Sequence, residues 1–208
     1  MWALTEQFGA RAISLVVGLI LARLLSPADF GLLASVSIFI TISQQVIDGG
    51  IAQRVIQKYE VGEEEYNALF FGNLAISAAV ALVLFFSAGF IADFFNYPEL
   101  KQVVISLGAW VFLSNAGRVQ RTKLTRETQY RKLALISLAA AIFGALVGVG
   151  MAFSDFGLWA LIGQMFSMSL ATVLLLWWVE PWRPTLIPKW ASLVDLYAFG
   201  IPVLVCQT

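Results

Sequence analysis

Five long windows without a single Asp, Glu, Lys or Arg dominate this sequence: residues 30–47, 66–92, 102–117, 133–154 and 156–179. A helix needs about 20 mostly apolar residues to cross the hydrocarbon core of a bilayer, and each window fits one crossing. Residues 102–117 form the shortest, so that helix has to borrow polar residues from its ends. A further crossing runs from about Phe8 to Leu25, apolar except for Arg11 and Arg23. A last apolar run begins near Leu193 and reaches Thr208 before it could span. The expected fold class is therefore all-α: a polytopic membrane helix bundle of six transmembrane helices plus a truncated seventh.

Composition agrees. Apolar residues (AVILMFWYC) make up 60% of the 208 residues and charged ones 12%, against about 25% charged in a soluble domain. A water-soluble core of this size cannot hide so much apolar surface. This excludes a soluble enzyme, a nucleic-acid binder and a disordered regulator. The chain has no His, which removes the commonest general base and metal ligand. Its one Cys, Cys206, makes no internal disulfide or Cys-cluster metal site and reads as a small apolar residue. Glu6 and Arg11 interrupt the first apolar stretch, and no basic segment precedes it, so the first helix is expected to remain in the mature protein.

The turns are legible. Ser26-Pro27-Ala28-Asp29 ends the first helix and starts the second, with Asp29 offered as an N-cap. Asn96-Tyr97-Pro98 follows the third helix, Ser154-Asp155 makes a tight turn before the sixth, and Glu180 to Pro184 ends it. Asp29-Phe30-Gly31-Leu32 and Asp155-Phe156-Gly157-Leu158 open two helices alike, with Asp as cap and Gly for a close approach. The likeness fits either a shared helix-start device or the trace of a duplicated unit. With the N-terminus in the cytoplasm, the inner loops 54–66, 118–132 and 180–192 hold ten Lys and Arg and the outer loops only Arg23 and Lys101. That bias sets the orientation by the positive-inside rule. Trp159, Trp177, Trp178, Trp182 and Trp190 fall near helix ends, as in an interfacial aromatic belt.

Polar groups inside the membrane are functional candidates by default. Arg11 either snorkels to the headgroups or faces an anionic ligand in a hydrated cavity. Helix two carries Ser37, Thr41, Gln44, Gln45 and Asp48 at spacings of three and four, which share one face. Interhelix hydrogen bonds in membranes average only about 0.6 kcal/mol, so this stripe is read as a cavity wall. Asn73, Ser77, Ser114, Asn115, Arg118, Gln164 and Thr172 extend polar character to other helices. Ala10, Ser14, Gly18 and Ala22 form a ridge of small residues on helix one, and Gly144 and Gly148 a pair on helix five, both read as internal packing first and as a dimer seam in the alternative. The basic loop 118–132 would orient the chain and attract anionic headgroups, or gather an anionic lipid-linked substrate. The acidic cluster 63–65 is read as loop without a partner. No catalytic or metal-binding constellation appears and no cofactor is implied, so an enzyme is not expected.

The chain as a whole resembles a known family. The string LARLLSPADFGLLA at 21–34 is similar to the junction of the first two helices in bacterial polysaccharide flippases. Asp48-Gly49-Gly50-Ile51, Glu63-Glu64-Glu65-Tyr66-Asn67, Ile91-Ala92-Asp93-Phe94-Phe95, Val119-Gln120-Arg121, Gly157-Leu158-Trp159-Ala160 and Trp182-Arg183-Pro184 continue the pattern. It resembles the Wzx-like lipopolysaccharide and exopolysaccharide exporters of the multidrug/oligosaccharidyl-lipid/polysaccharide superfamily. The resemblance implies two six-helix lobes that flip an undecaprenyl-diphosphate-linked oligosaccharide across the bacterial inner membrane. Residues 1–179 would be the N-terminal lobe, and 180–208 a cytoplasmic linker with the start of helix seven.

On that resemblance Arg11 would meet the diphosphate, with Arg54 and Arg118 at the inner mouth. Gln44, Gln45, Asp48 and Gln164 would contact sugar hydroxyls or a coupling ion. Arg23 reads first as a structural pair with Asp29. A lobe alone cannot enclose a cavity between two lobes, so the partners implied are a lipid-linked oligosaccharide, membrane lipids, and a second half-transporter or a second copy. Competing readings are an inactive truncation product, a membrane interaction subunit, or a drug or cation antiporter of the same superfamily working through Asp48.

Overall fold

The computed structural model describes residues 2–24, 27–48 and 62–185. Among them lie seven helices: α1 (Trp2–Leu24), α2 (Pro27–Asp48), α3 (Glu63–Phe94), α4 (Leu100–Asn115), α5 (Arg118–Arg126), α6 (Tyr130–Phe153) and α7 (Leu158–Val179), with no strand among the described residues. Arg54, Lys189, Trp190 and the run from Leu193 lie outside the described residues, as do the side chains of Arg11, Asp29 and Asp48. α2, α3, α4, α6 and α7 each cover most of one charge-free window, because a backbone in lipid must satisfy its N–H and C=O groups within its own segment. Three are long and apolar enough to cross a membrane: α3, α6 and α7. The 16-residue α4 spans about 24 Å at 1.5 Å per residue, short of the roughly 30 Å core.

Two helical hairpins organise the bundle. α3 and α4 pack together through the turn 95–99, and α6 and α7 through 154–157. α1 lies against α6, and α4 against both α7 and α2. Val17 and Leu21 of α1 share one buried cluster with Leu84, Ala88 and Ile91 of α3, Val103, Val104 and Leu107 of α4, and Ala160 and Leu161 of α7. The close approach of α6 to α7 needs glycine. A Cβ on Gly148 would sit 2.7 Å from Gln164 Cβ, and one on Gly144 2.7 Å from Met168 Cβ. The glycine pair is therefore an internal seam, as expected. Outside the core the surface is apolar: Phe86 is 79% exposed and Trp178 82%, with Val83, Phe90 and Leu146 also turned outward. Exposing a Phe to water forgoes about 1.5–3 kcal/mol, so lipid is the solvent this face suits.

Three local expectations need correction. The segment 118–132 is not a loop. Residues 118–126 form α5, whose Val119 and Leu124 are buried and which packs against α3, α6 and α7. The acidic residues 63–65 are not loop either. They are the first turn of α3, where negative charge complements the positive end of the helix dipole. Glu65 Oε2 accepts the Gly62 N–H at 2.8 Å. Asp155 does not cap α7. It lies in a left-handed turn (φ 57°), and Gly157 (φ 52°) precedes the first helical residue, Leu158.

Candidate functional site

The basic residues described at one end of the bundle belong to α5, the start of α6 and the segment after α7: Arg118, Arg121, Lys123, Arg126, Arg131, Lys132 and Arg183. There α4 stops at Asn115, the chain turns through Ala116 and Gly117, and α5 begins with Arg118. Packing at Gly117 is tight, since a Cβ would come to 3.0 Å from Leu176 Cδ1, which would have to shift to admit it. Arg118 is half-buried, and its Nη1 donates to Asn115 Oδ1 at 3.0 Å. Asn115 is itself fixed, its Nδ2 donating to Val111 O at 2.8 Å.

Against this corner lies a cavity of about 320 Å³ lined by Ser114, Gly117, Arg118, Arg121, Thr122, Thr125, Thr172 and Leu176. Its volume falls in the roughly 300–1,000 Å³ range of small-molecule sites. Two guanidinium groups offer donors; of the four hydroxyls, Ser114, Thr125 and Thr172 donate to Val111 O, Arg121 O and Met168 O and present their oxygens as acceptors, and no carboxylate is among the described lining residues. Such a wall suits an anion with several oxygens, for which arginine is the planar multidentate partner. Residues 118, 121, 122 and 125 reach it because spacings of three, four and seven share one face of α5.

The expected site residues divide. Arg118 lines the cavity. Gln44 joins the corner, its Nε2 3.5 Å from Ser114 Oγ, which ties α2 to α4. Gln45 is exposed, as are Ser37 and Thr41, whose hydroxyls donate to their own helix at Ala34 O and Ser37 O. Gln164 stands apart, its stem against Gly148 in the α6–α7 seam. It precedes Thr172 by eight residues, about 12 Å along α7. Arg121, Thr122 and Thr125 were missed as site residues, although their spacing would have shown one face once the segment was taken as helix.

Beside the cavity an aromatic and ionic clamp holds the chain that leaves α7. Lys123 Nζ pairs with Glu180 Oε1 at 2.9 Å. Burial works to lower the Lys123 pKa, yet the Glu180 hydrogen bond and the charges of Glu180, Glu127 and Glu63 outweigh it and hold the ammonium above its ordinary 10.5. Trp182 is buried against Tyr66, Leu69 and Val119, and its Nε1 donates to Glu63 Oε2 at 2.8 Å. The Thr185 N–H donates to Asn67 Oδ1 at 3.2 Å. Trp177 Nε1 donates to Ala116 O at 3.0 Å, and the Arg183 guanidinium lies 5.0 Å from the Trp177 ring. Trp177 and Trp182 thus work as internal struts, whereas Trp178 remains a surface aromatic of the expected belt kind.

Comparison with known proteins bears on the whole chain. Residues 20–208 match the model of the family described as "Polysaccharide biosynthesis protein". The chain is 27% identical over 202 residues to the succinoglycan biosynthesis transport protein ExoT of Rhizobium meliloti, covering 96% of this chain and 41% of that protein. It is 25% identical to the lipopolysaccharide biosynthesis protein WzxC of Escherichia coli, covering 93% of this chain and 41% of that protein. It is 23% identical to the teichuronic acid biosynthesis protein TuaB of Bacillus subtilis, covering 76% and 33%. The chain thus spans about two fifths of the length of the first two relatives. No solved structure matches it. With the family model covering nearly its whole length and apolar helices throughout, this chain belongs to the polysaccharide biosynthesis protein family of membrane proteins.

Proposed function

We propose that this chain is one lobe of a flippase that moves an undecaprenyl-diphosphate-linked oligosaccharide across the bacterial inner membrane for lipopolysaccharide or exopolysaccharide assembly. The observation that carries the reading is the cavity walled by Arg118, Arg121 and the hydroxyls of Ser114, Thr122, Thr125 and Thr172. A diphosphate supplies the oxygens such a wall would bind, and low dielectric at a membrane interface strengthens each contact. Ten Lys and Arg fall at this end in the six-span reading, against Arg23 and Lys101 at the other, which supports a cytoplasmic N-terminus and a cytoplasmic cavity. The substrate would then be met where lipid-linked sugars are built.

In this mechanism Arg118 is held by Asn115 and binds one phosphate, Arg121 binds or steers the second, and Gln44 closes the corner from α2. Arg11, Gln45, Asp48 and Arg54 are proposed to line the path between this lobe and a second one. That second lobe comes from the remainder of a longer protein, a half-transporter or another copy.

The test uses the full-length protein in cells that depend on it for polymer export. Arg118→Ala should weaken substrate binding by about 1.5–3 kcal/mol, or roughly tenfold to hundredfold, and lipid-linked intermediate should accumulate inside. Arg118→Lys should restore only part of the export, because the bidentate fork is lost. Undiminished export by an Arg118→Ala, Arg121→Ala double variant would sink the assignment.

A further inference from the structure

The far ends of α4 and α7 border a second, open cavity with a different chemistry. Its volume is about 530 Å³, and Glu99, Gln102, Asp155, Phe156 and Trp159 are among its lining residues. Gln102 lies 13 positions before Asn115 along α4, so this cavity sits about 20 Å from the arginine site. Among the described residues no Lys or Arg lines it, a lining less suited to phosphate than that of the arginine cavity. Among the described residues, no hydrogen bond or ion pair occupies the side chains of Glu99, Gln102 or Asp155. Trp159 is 39% exposed and Phe156 55%, so both rings present open area beside those acceptors. The left-handed backbone at Asp155 and Gly157 bends the chain here and sets Asp155 and Phe156 on the rim.

Carboxylates, an amide and open aromatic rings in one concave site match the chemistry of a neutral sugar. A pyranose carries many hydroxyl donors around its edge and an apolar C–H face. Carboxylate oxygens accept from the hydroxyls, a carboxamide both donates and accepts, and an indole ring covers the C–H face. We propose that this cavity is a glycan-contact site that holds sugar units of the transported oligosaccharide at the end of the lobe opposite the diphosphate site. It rests on the flippase reading for the identity of the cargo. Trp159 and Phe156 supply the apolar platform, and Glu99, Gln102 and Asp155 take the hydroxyls.

The experiment uses the full-length protein in membranes of its polymer-producing host, with photoreactive p-benzoylphenylalanine in place of Gln102 or, in a parallel chain, of Thr125. After illumination, protein-bound adducts are identified by mass. Capture of lipid-linked glycan at both positions is expected. Trp159→Ala should lower capture at position 102 at least tenfold and leave capture at 125 unchanged, which also shows that the variant is folded. Trp159→Phe should restore part of it, and Glu99→Gln with Asp155→Asn should lower it again. Glycan at 125 with only phospholipid or nothing at 102 would overturn the glycan site and leave the flippase reading standing, making Trp159 an interfacial anchor. Capture at 102 that ignores all these substitutions would overturn it as well. Absence of glycan at both positions would overturn both readings.

Discussion

The indole Nε1 of Trp182 donates to Glu63 Oε2 across 2.8 Å, although 119 positions separate the two residues. The bond joins the segment after α7 to the first turn of α3. Tyr66, one turn further along α3, stands 6.2 Å from the Trp182 ring and accepts from Arg126 Nη1 at 3.2 Å. Lys123 lies over the same tyrosine ring at 5.8 Å. One turn of α3 thus gathers α5 and the exit of α7. The segment after α7 is thus held against the start of α3 as far as Thr185, whose N–H donates to Asn67 Oδ1.

Truncating the centre of this clamp is expected to cost stability. Trp182→Ala removes a buried indole, a change worth about 3–5 kcal/mol. Trp182→Phe keeps most ring contacts and loses the hydrogen bond, for about 1 kcal/mol. Denaturation of the full-length protein in detergent measures both. Equal losses for the two variants would show that ring packing contributes nothing.

The ion pair of Lys123 with Glu180 predicts a pH dependence. The folded pKa of Lys123 is raised above 10.5, so its contribution is complete below the unfolded pKa and is lost as pH rises through the folded value. Thermal stability should therefore fall on going from pH 9 to above about 11, beyond the fall shared by all lysines. Glu180→Gln should lower stability at neutral pH and flatten this alkaline step. An unchanged alkaline profile in Glu180→Gln would remove the pair from the account.

How far the sequence could be read depends on the range of the forces involved. The long helices were legible because each charge-free window faces lipid and must close its own hydrogen bonds. α5 is hidden in the sequence because Arg, Thr, Lys and Gln obscure its period, and contacts with distant elements, those of Val119 and Leu124, the Lys123–Glu180 pair and the Arg126–Tyr66 bond, hold it. Trp182 reads locally as a belt residue because nothing near it in the sequence marks a partner 119 positions away. Asp155 was taken for a cap because its φ of 57° cannot be inferred from a side chain suited to capping. Of the candidate site, Arg118 and Gln44 were legible as polar residues near a membrane end. Arg121, Thr122 and Thr125 became visible only once α5 was a helix.

The α6–α7 seam offers a paired control. Gly148→Ala places a methyl against Gln164 and should cost about 1–3 kcal/mol through overpacking. Gly150→Ala, two positions on, meets nothing within 4 Å and should be neutral or stabilising by about 0.5–1 kcal/mol. Melting temperatures of the two variants, measured side by side, check the difference. Similar values would mean that the helices do not approach as closely as the seam requires.

Gln120 poses the sharpest energetic question in the clamp region. Its side chain is fully buried, and neither Nε2 nor Oε1 has a hydrogen-bond partner among the described residues. Asn73 Nδ2 on α3 is likewise buried without a partner among the described residues. An unpaired buried polar group costs about 1–3 kcal/mol, whereas an apolar group of similar shape at the same place costs nothing in desolvation. Gln120→Met should therefore leave stability unchanged or raise it by about 1–2 kcal/mol, and under the proposed flippase function polymer export should persist, because the side chain does not line the cavity beside it. Gln120→Glu, which would bury a charge in the same place, should be strongly destabilising. A loss of more than about 1 kcal/mol in Gln120→Met would instead mean that the amide is satisfied by a buried water bridging α5 to its neighbours. Both variants are read by thermal denaturation of the full-length protein alongside its export activity.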